Sequence, residues 1–100
     1  MKDYYVYIVK CSDGSYYTGI TNNVERRLSE HNTGINKDCY TFSRRPVELM
    51  FCEYFIDPNQ AIKFEKQIKG WSRKKKEAII EGNWEKLKEL SKCRNEKYWT

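Results

Sequence analysis

The chain has 100 residues, a length that fits one domain, and its 39% apolar and 15% aromatic content is typical of a globular protein rather than a disordered one. Its formal net charge is +5, and four cysteines without a C-x-x-C pair and a single histidine argue against a zinc site. The sequence shows neither a signal peptide nor an apolar run of membrane length, so we expect a cytoplasmic protein with reduced thiols and no membrane contact.

The first predicted elements form a β-hairpin. Residues 4 to 10 are β-branched or aromatic at both alternating sets of positions, which is typical of a central strand covered on both faces. The side chain of Tyr7 should then point to the opposite face from that of Tyr4. The Asp-Gly pair at 13 and 14 is a hairpin turn signal, so residues 15 to 20 should pair back on the first strand.

A helix comes next. Asn22 and Glu25 have the spacing of a capping box, and we predict a helix over residues 23 to 31 with Gly34 beyond its end. Residues 33 to 45 show no clear period and predict a loop. Pro46 then opens a third strand over residues 47 to 55, in which the apolar residues Val47, Leu49, Phe51 and Phe55 alternate.

Helices are predicted for the rest of the chain. Asp57 and Pro58 are typical of a helix start, and this helix should run to about Lys69, where a glycine stops it. Further caps at Ser72 and Asn83 predict two more helices, of which the first ends near residue 82. We place a single domain at residues 1–92, with a core at about 4–80, and a polar C-terminal tail at residues 93–100.

Polar residues occupy the inner face of the first predicted helix. Val24 and Leu28 mark that face, and helical spacing places Arg27 and His31 on it as well. Taken singly, a histidine at a helix end is more typical of a cap or a core group. An arginine that follows another arginine is usually solvated, so neither residue indicates a site by itself.

Glu65 lies in the apolar stripe that begins at Ala61 on the second helix. A buried carboxylate needs a partner, a metal ion or a raised pKa. The ordinary explanation is an ion pair, either with Arg27 of the first helix or with Lys69 one turn further on. Together with the hairpin tyrosines and the polar residues of the first helix, Glu65 also fits hydrolysis of a phosphodiester, which needs a cation, a metal ligand and a proton acceptor.

The excess positive charge is concentrated in one segment. Between residues 63 and 76 there are seven basic residues and one acid, and such a segment attracts polyanions, nucleic acid first. A solvated helix face explains a charge run of this kind equally well. The basic residues that we consider for nucleic-acid binding are Lys63, Lys66, Lys69, Arg73, Lys74, Lys75 and Lys76, with Arg44 and Arg45 in the preceding loop.

The chain resembles the GIY-YIG nuclease superfamily, most of all its small single-domain, UPF0213-like members, over residues 4 to about 80. The resemblance rests on ordered blocks and their spacing: "YVY" at 5 to 7, "YTG" at 17 to 19, "ITNNVERRLSEHNTG" at 20 to 34, "SRRPVEL" at 43 to 49 and "AIKFEKQIKGWSRKKKEAII" at 61 to 80. It implies an α+β fold in which helices flank a small three-stranded antiparallel sheet, in β-β-α-β-α-α order. That order agrees with the elements predicted above.

The resemblance also implies a site and a reaction. Arg27 would contact the scissile phosphate, and Glu65 would hold one divalent metal ion, Mg²⁺ or Mn²⁺, that stabilises the leaving oxygen. Tyr7, assisted by its neighbours, would accept a proton from the attacking water, provided that a nearby cation favours its phenolate. Cleavage would leave a 5′ phosphate and a 3′ hydroxyl. The positions that match the family's site are Tyr7, Tyr17, Gly19, Arg27, His31 and Glu65.

We therefore predict a metal-dependent endonuclease that acts on DNA, with a role in repair or recombination. The alternatives are a nucleic-acid-binding module without catalysis and a protein-interaction module around Trp71, Trp84 and Trp99, although packing is the ordinary role of the first two. Larger relatives carry separate binding modules, so a protein partner could supply specificity here. The sequence departs from the family motifs at Tyr5, whose role is open, and at Thr18.

Overall fold

The computed structural model describes residues 3–82, which form an α+β fold with the predicted order of elements. The predicted helix after Asn83, the tail at residues 93–100, Trp84 and Trp99 lie outside the described residues. The elements are β1 (Tyr4–Lys10), β2 (Tyr16–Thr21), α1 (Val24–Thr33), a 3₁₀ turn (Phe42–Arg44), β3 (Glu48–Phe55), α2 (Pro58–Lys69) and α3 (Arg73–Glu81).

The three strands form one antiparallel sheet in the order β2-β1-β3, so β1 is central as its apolar pattern predicts. Four consecutive residues of β1, Val6 to Val9, are buried, because both faces of the strand are covered. The hairpin turn contains Gly14 at φ 86, a left-handed conformation that favours glycine. The carboxylate of Asp13 accepts hydrogen bonds from the backbone and hydroxyl of Ser15, which closes the turn.

The two faces of the sheet carry different helices. On one face, Phe64 of α2 packs against Phe51 and Phe55 of β3, with ring centroids 6.3 and 5.2 Å apart. On the other face, Leu28 of α1 packs against a buried cluster of Tyr7, Val9, Cys11 and Val47. The sheet therefore separates a layer built around α2 from a layer built around α1.

The strict alternation predicted for β3 is interrupted. Phe51 pairs with Ile8, but the next residue of β1, Val9, pairs with Leu49, so the register shifts there by one residue. Such a bulge moves the following side chains to the opposite face. Val47 consequently packs in the α1 layer, whereas Phe51 packs against α2.

Helix α1 and its N-cap both begin one residue later than predicted. Asn23, not Asn22, is the N-cap, and its side chain accepts the backbone N–H of Arg26 at 3.0 Å. The side chain of Asn22 accepts from the Arg26 guanidinium instead. The helix runs on to Thr33, two residues beyond its predicted end at His31, and Gly34 follows it as the C-cap in the left-handed conformation, at φ 73.

The described residues fall into two compact units, one that ends at Lys69 and one that begins at Gly70. In the second unit, Ser72 caps α3 as predicted, and Trp71 is buried. The predicted boundaries of a single domain at residues 1–92 stay a prediction. Across residues 3–82, no helix has both the length and the apolar character needed to cross a membrane.

Candidate active site

Tyr7 lies at the centre of the sheet, directly opposite Gly19 of β2. The Tyr7 ring lies so close to the backbone of Gly19 that a Cβ added there would be 2.6 Å from Cζ of the ring. Gly19 therefore matters for the close approach of the Tyr7 ring, which gives a physical reason for the glycine that the resemblance implied at this position.

Helix α1 places His31 over Tyr7. His31 is 3% exposed, and its Nε2 lies 2.9 Å from the Tyr7 hydroxyl oxygen. The imidazole also contacts the ring of Tyr17, with centroids 5.3 Å apart and the ring planes inclined at 68°. The inner-face position predicted for His31 is confirmed, and the structure brings it together with both predicted site tyrosines.

The other nitrogen of His31 contacts the loop before β3. Nδ1 lies 2.7 Å from Oγ1 of Thr41, a residue that is 1% exposed. The Thr41 hydroxyl in turn donates to Sγ of Cys39 at 3.4 Å. Neither residue was identified from the sequence, because the loop has no period and a threonine or cysteine in it carries no spacing signal.

Arg27 lies one turn before His31 on the same face of α1, and its guanidinium lies near enough to the Tyr7 hydroxyl to act on the pKa of that group. Nη1 forms an ion pair with Glu30 at 3.2 Å, so the alternative of a pair between Arg27 and Glu65 is wrong. Glu30 was missed although its i,i+3 spacing from Arg27 is the signal for such a pair. Burial would lower the pKa of Arg27, but Tyr7 and Glu30 raise it.

The protonation states of Tyr7 and His31 follow from their burial. Desolvation raises the pKa of Tyr7 to about 12, although Arg27 acts in the opposite direction. Arg27 does favour the phenolate, as expected, but burial outweighs it and the phenol stays protonated at neutral pH. Burial, and then the charge of Arg27, lower the pKa of His31. At neutral pH the site holds a protonated phenol beside a neutral imidazole.

Tyr17 forms the outer wall of this cluster. Its ring stacks on Tyr40 with centroids 5.9 Å apart and lies 6.4 Å from the ring of Tyr7. The guanidinium of Arg44 covers Tyr40 at 3.9 Å from the ring centroid and pairs with Asp13 at 3.1 Å. Arg44 thus ties the loop to the hairpin turn.

Glu65 lies on α2, in the layer across the sheet from His31. It is 8% exposed, and one of its oxygens lies 2.6 Å from Nζ of Lys69, so the predicted i,i+4 pair is confirmed. The hydrogen bond to Glu65 raises the pKa of Lys69, and the hydroxyl of Tyr17 adds to this effect. Lys69 therefore connects the carboxylate of Glu65 with the Tyr17 side of the cluster.

A metal ion at this place would have few protein ligands. Within residues 3–82, no group of three or more His, Cys, Asp or Glu side chains is arranged to hold a metal. Glu65 offers one carboxylate, whose oxygens are hard ligands for a metal ion. That donor fits Mg²⁺ or Mn²⁺ in a mostly hydrated form, because Mg²⁺ commonly keeps several waters and binds through one or two carboxylates.

The basic residues differ in their exposure. Lys63 and Lys66 on α2 are exposed, as are Arg73 and Lys74 on α3, whereas Lys76 is half-buried. Arg45 is exposed and lies over the ring of Phe42, with 4.5 Å from the guanidinium carbon to the ring centroid.

Lys75 does not lie on an exposed basic surface. Its side chain is 0% exposed, and Nζ lies 4.8 Å from the centroid of the Trp71 ring. Ala78 and Ile79, three and four residues further along α3, are buried too, so helical spacing puts Lys75 on the buried face. The prediction that Lys75 binds nucleic acid is inconsistent with this burial.

Comparison with known proteins agrees with this architecture. The model of the GIY-YIG catalytic domain family matches residues 3–78. A UPF0213 protein of Bacillus pumilus is 46% identical over 79 residues, which are 79% of this chain and 80% of that protein. One of Haloquadratum walsbyi is 49% identical over 82 residues, 81% of this chain and 91% of that protein.

Two structures solved by solution NMR have the same fold. Protein EF2693 from E. faecalis has a TM-score of 0.58 at 40% identity, covering 82% of this chain and 86% of that one. The UPF0213 protein BH0048 from Bacillus halodurans has a TM-score of 0.54 at 38% identity, covering 81% and 85%. The matched residues include the strands that carry Tyr7 and Gly19 and the helices that carry Arg27, His31 and Glu65. The chain belongs to the GIY-YIG domain family, in its UPF0213 branch.

Proposed function

We propose that this chain is a metal-dependent endonuclease that hydrolyses phosphodiester bonds of DNA. The observation that carries the proposal is the buried hydrogen bond of 2.9 Å between Tyr7 and His31 beside the charge of Arg27, within a GIY-YIG domain. A proton acceptor next to a fixed cation is what hydrolysis of a phosphodiester requires.

The attacking water loses one proton to Tyr7, and Tyr7 passes its own proton to His31. A phenol with a pKa of about 12 is almost fully protonated at neutral pH, so it does not act as a preformed base. Tyr7 instead accepts a proton from the water while its own proton passes to Nε2 of His31, over 2.9 Å. The water oxygen then bonds to phosphorus, the P–O3′ bond breaks with its electron pair on O3′, and O3′ takes a proton from solvent, so the products carry a 5′ phosphate and a 3′ hydroxyl.

Arg27 binds the phosphate and prepares His31 at the same time. The guanidinium stabilises the negative charge that develops on the phosphate oxygens. In the free protein the charge of Arg27 lowers the pKa of His31. A bound phosphate offsets that charge, so DNA binding itself makes His31 a stronger base. Tyr17, in ring contact with Tyr7 and His31, lines the same approach.

Glu65 would hold the one divalent ion, Mg²⁺ or Mn²⁺. Its carboxylate is already paired with Lys69, so ion binding must compete with or rearrange this contact. When bound, such an ion supplies a positive charge for the leaving oxygen. Lys69 would then be available to a DNA phosphate, because an ammonium displaced from a carboxylate seeks another anion.

Exposed basic side chains would hold the DNA. On α2 these are Lys63 and Lys66, and on α3 they are Arg73 and Lys74. Arg44 and Arg45 would add contacts from the loop, next to their structural ones. A protein partner that supplies specificity, a role in repair or recombination and a cytoplasmic location remain part of the proposal.

The second candidate function, a nucleic-acid-binding module without catalysis, is favoured by one observation. The carboxylate of Glu65 is already neutralised by Lys69 at 2.6 Å, so the site is satisfied without a metal ion. This candidate predicts salt-dependent DNA binding that Glu65→Ala leaves unchanged, and no cleavage.

The test is cleavage of plasmid, branched and single-stranded DNA with Mg²⁺ or Mn²⁺ present, and again after a chelator is added. We expect cleavage that the chelator abolishes and that Arg27→Ala or Glu65→Ala reduces by at least about 100-fold. Arg26→Ala is the matched control, because Arg26 is the exposed neighbour of Arg27 and also pairs with Glu30. If the folded protein binds DNA and cuts none of these substrates with either ion, the second candidate replaces the first.

A further inference from the structure

Thr41 lies between His31 and Cys39 in a chain of hydrogen-bonded groups that starts at Tyr7. The chain passes from the Tyr7 hydroxyl to Nε2 of His31 over 2.9 Å and from Nδ1 to Thr41 Oγ1 over 2.7 Å. It ends at Cys39 Sγ, 3.4 Å from Thr41 Oγ1. Because Tyr7, His31 and Thr41 are each no more than 3% exposed, the two hydrogen bonds of His31 are shielded from bulk solvent, whereas Cys39 is half-buried.

The direction of the first bond follows from the acceptor that Tyr7 has. A guanidinium only donates hydrogen bonds, so the neighbouring Arg27 cannot take the proton of the Tyr7 hydroxyl. Within residues 3–82, the group at hydrogen-bond distance that can accept this proton is Nε2 of His31, at 2.9 Å. In a neutral imidazole one nitrogen donates and the other accepts, so acceptance at Nε2 places the ring proton on Nδ1.

The direction of the second bond follows from Cys39. The single proton of the Thr41 hydroxyl is donated to Sγ of Cys39, so it is not available to His31. Oγ1 of Thr41 can then only accept at Nδ1, which again places the proton of the imidazole on Nδ1. The bonds at both ends of the chain are thus consistent with the same tautomer.

We propose that Thr41 is a positioning residue, whose hydroxyl accepts the Nδ1–H of His31 and keeps Nε2 unprotonated toward Tyr7. The role of this tautomer rests on the proposed function, because the opposite tautomer would present an N–H to Tyr7 and could not take its proton.

The fold holds Thr41 in place from two directions. The Asn32 side chain, next to His31 on α1, accepts the backbone N–H of Val47 at 2.7 Å and donates to its carbonyl at 3.1 Å. This pair of bonds closes the loop that contains Thr41. The backbone carbonyl of Thr41 also accepts the N–H of Arg44 at 3.0 Å. The hydroxyl is therefore presented to His31 by a fixed backbone.

The test reads the tautomer directly, by long-range ¹H–¹⁵N NMR of the imidazole in the untagged, ¹⁵N-labelled chain of 100 residues. The sequence contains one histidine, so the imidazole signals belong to His31. We expect Nδ1 with the shift of a protonated nitrogen and Nε2 with that of an unprotonated one. In Thr41→Val the acceptor at 2.7 Å is lost and the weaker acceptor Cys39 Sγ, 3.8 Å from Nδ1, remains. We expect the two nitrogen shifts to move toward each other or to exchange; Thr41→Ser should restore the original pattern.

Thr18→Val is the matched control. Thr18 is also buried, at 3% exposed, but it faces the α2 layer, and its Oγ1 has no hydrogen-bond partner among residues 3–82. We expect the His31 spectrum of this variant to match that of the unchanged protein. An Nε2–H tautomer in the unchanged protein overturns the proposal, as does a Thr41→Val variant with unaltered nitrogen shifts. If Thr41→Val fails to fold, the spectra of the unchanged protein and of Thr41→Ser still decide.

Kinetics separate this inference from the proposed function. In a cleavage assay we expect Thr41→Val to lower kcat on the order of tenfold to 100-fold with KM unchanged, because Thr41 does not contact DNA. If the unchanged protein cuts no DNA, the proposed function fails while the tautomer measurement stands or falls by itself. A larger KM with an unchanged kcat would contradict a positioning role.

Discussion

Tyr7 and Gly19 face each other across β1 and β2, and the Tyr7 ring occupies the space in which any side chain at residue 19 would begin. The hydroxyl that reaches His31 is thus set in place by the absence of a side chain on the neighbouring strand. This relation explains a glycine whose own φ is not in the left-handed region that favours glycine.

Gly19→Ala should displace the Tyr7 ring and break its hydrogen bond to His31. We expect a loss of about 1–3 kcal/mol in the free energy of unfolding, as for other overpacked cores, and loss of cleavage. Urea unfolding measures the loss of stability. The His31 NMR spectrum reports the broken hydrogen bond to Tyr7 without an activity assay.

Gly82→Ala is a control for glycine substitution in general. Gly82 has φ +72 and nothing within 4 Å of an added Cβ, so its cost of about 1–2 kcal/mol comes from the backbone alone. It should leave the His31 spectrum unchanged. If Gly19→Ala also leaves that spectrum unchanged, the close approach of Tyr7 does not depend on the glycine.

Tyr7→Phe should abolish the proton path and keep the fold. We expect kcat to fall by at least about 100-fold, because general acid–base groups typically contribute that much, and KM to stay within about threefold. Steady-state cleavage of one short duplex with saturating Mg²⁺ gives both constants.

The matched control for this change is Tyr5→Phe, which removes a phenol hydroxyl two residues away on the same face of β1. Its kcat should equal that of the unchanged protein. Equal losses in the two variants would show that packing of the hairpin, and not the Tyr7–His31 bond, explains the effect.

The pH dependence of cleavage distinguishes His31 from Tyr7 as the final proton acceptor. Burial and Arg27 lower the pKa of His31, so kcat/KM should fall as the pH drops through a value below the usual 6.5 and be level above it. If a Tyr7 phenolate were the base, the rate would keep rising tenfold per pH unit toward its pKa of about 12. A level profile from pH 7 to 9 supports the path to His31, and a continuous rise contradicts it.

Metal binding should respond in opposite directions to changes at Glu65 and Lys69. We expect Glu65→Gln to weaken Mg²⁺ binding at least tenfold, because it removes the charged ligand. Lys69→Met should strengthen binding about two- to fivefold, because the exposed ammonium that competes for the carboxylate is gone. A Mg²⁺ titration of the free protein, followed by NMR, measures both.

Glu77→Gln is the corresponding control on α3, where Glu77 pairs with Arg73 at the same i,i+4 spacing and 3.2 Å. Its Mg²⁺ affinity should be unchanged. A Lys69→Met variant with weaker Mg²⁺ binding would mean that Glu65 is not the ligand, or that the pair shapes the site instead of blocking it.

Much of the fold could be predicted because local signals and periodicity agree. Caps and glycines set the helix ends, and apolar residues on both faces of residues 4 to 10 identified the central strand. The register shift in β3 was not predictable, because a bulge leaves the sequence pattern of the strand intact and only changes which face its residues occupy.

The candidate site was predictable where residues lie on helices. Helical spacing put Arg27 and His31 on one inner face, and the structure buries His31 there. Thr41 was not predictable, because its contact with His31 depends on the path of a loop. The protonation state of Tyr7 depends on the balance between its burial and the charge of Arg27. This balance cannot be predicted from the sequence.

The two hydrogen bonds between Asn32 and Val47 also separate the loop's stem from its tip. Residues 35 to 38 at the tip are exposed, and the entropy of closing a loop rises only slowly, by about 0.6 kcal/mol for each doubling of its length. The tip can therefore lengthen at little cost while Thr41 and the stem stay in place. Under the proposed function, residues that contact DNA could be inserted there, in evolution or by engineering, without rebuilding the cluster of Tyr7, His31 and Thr41.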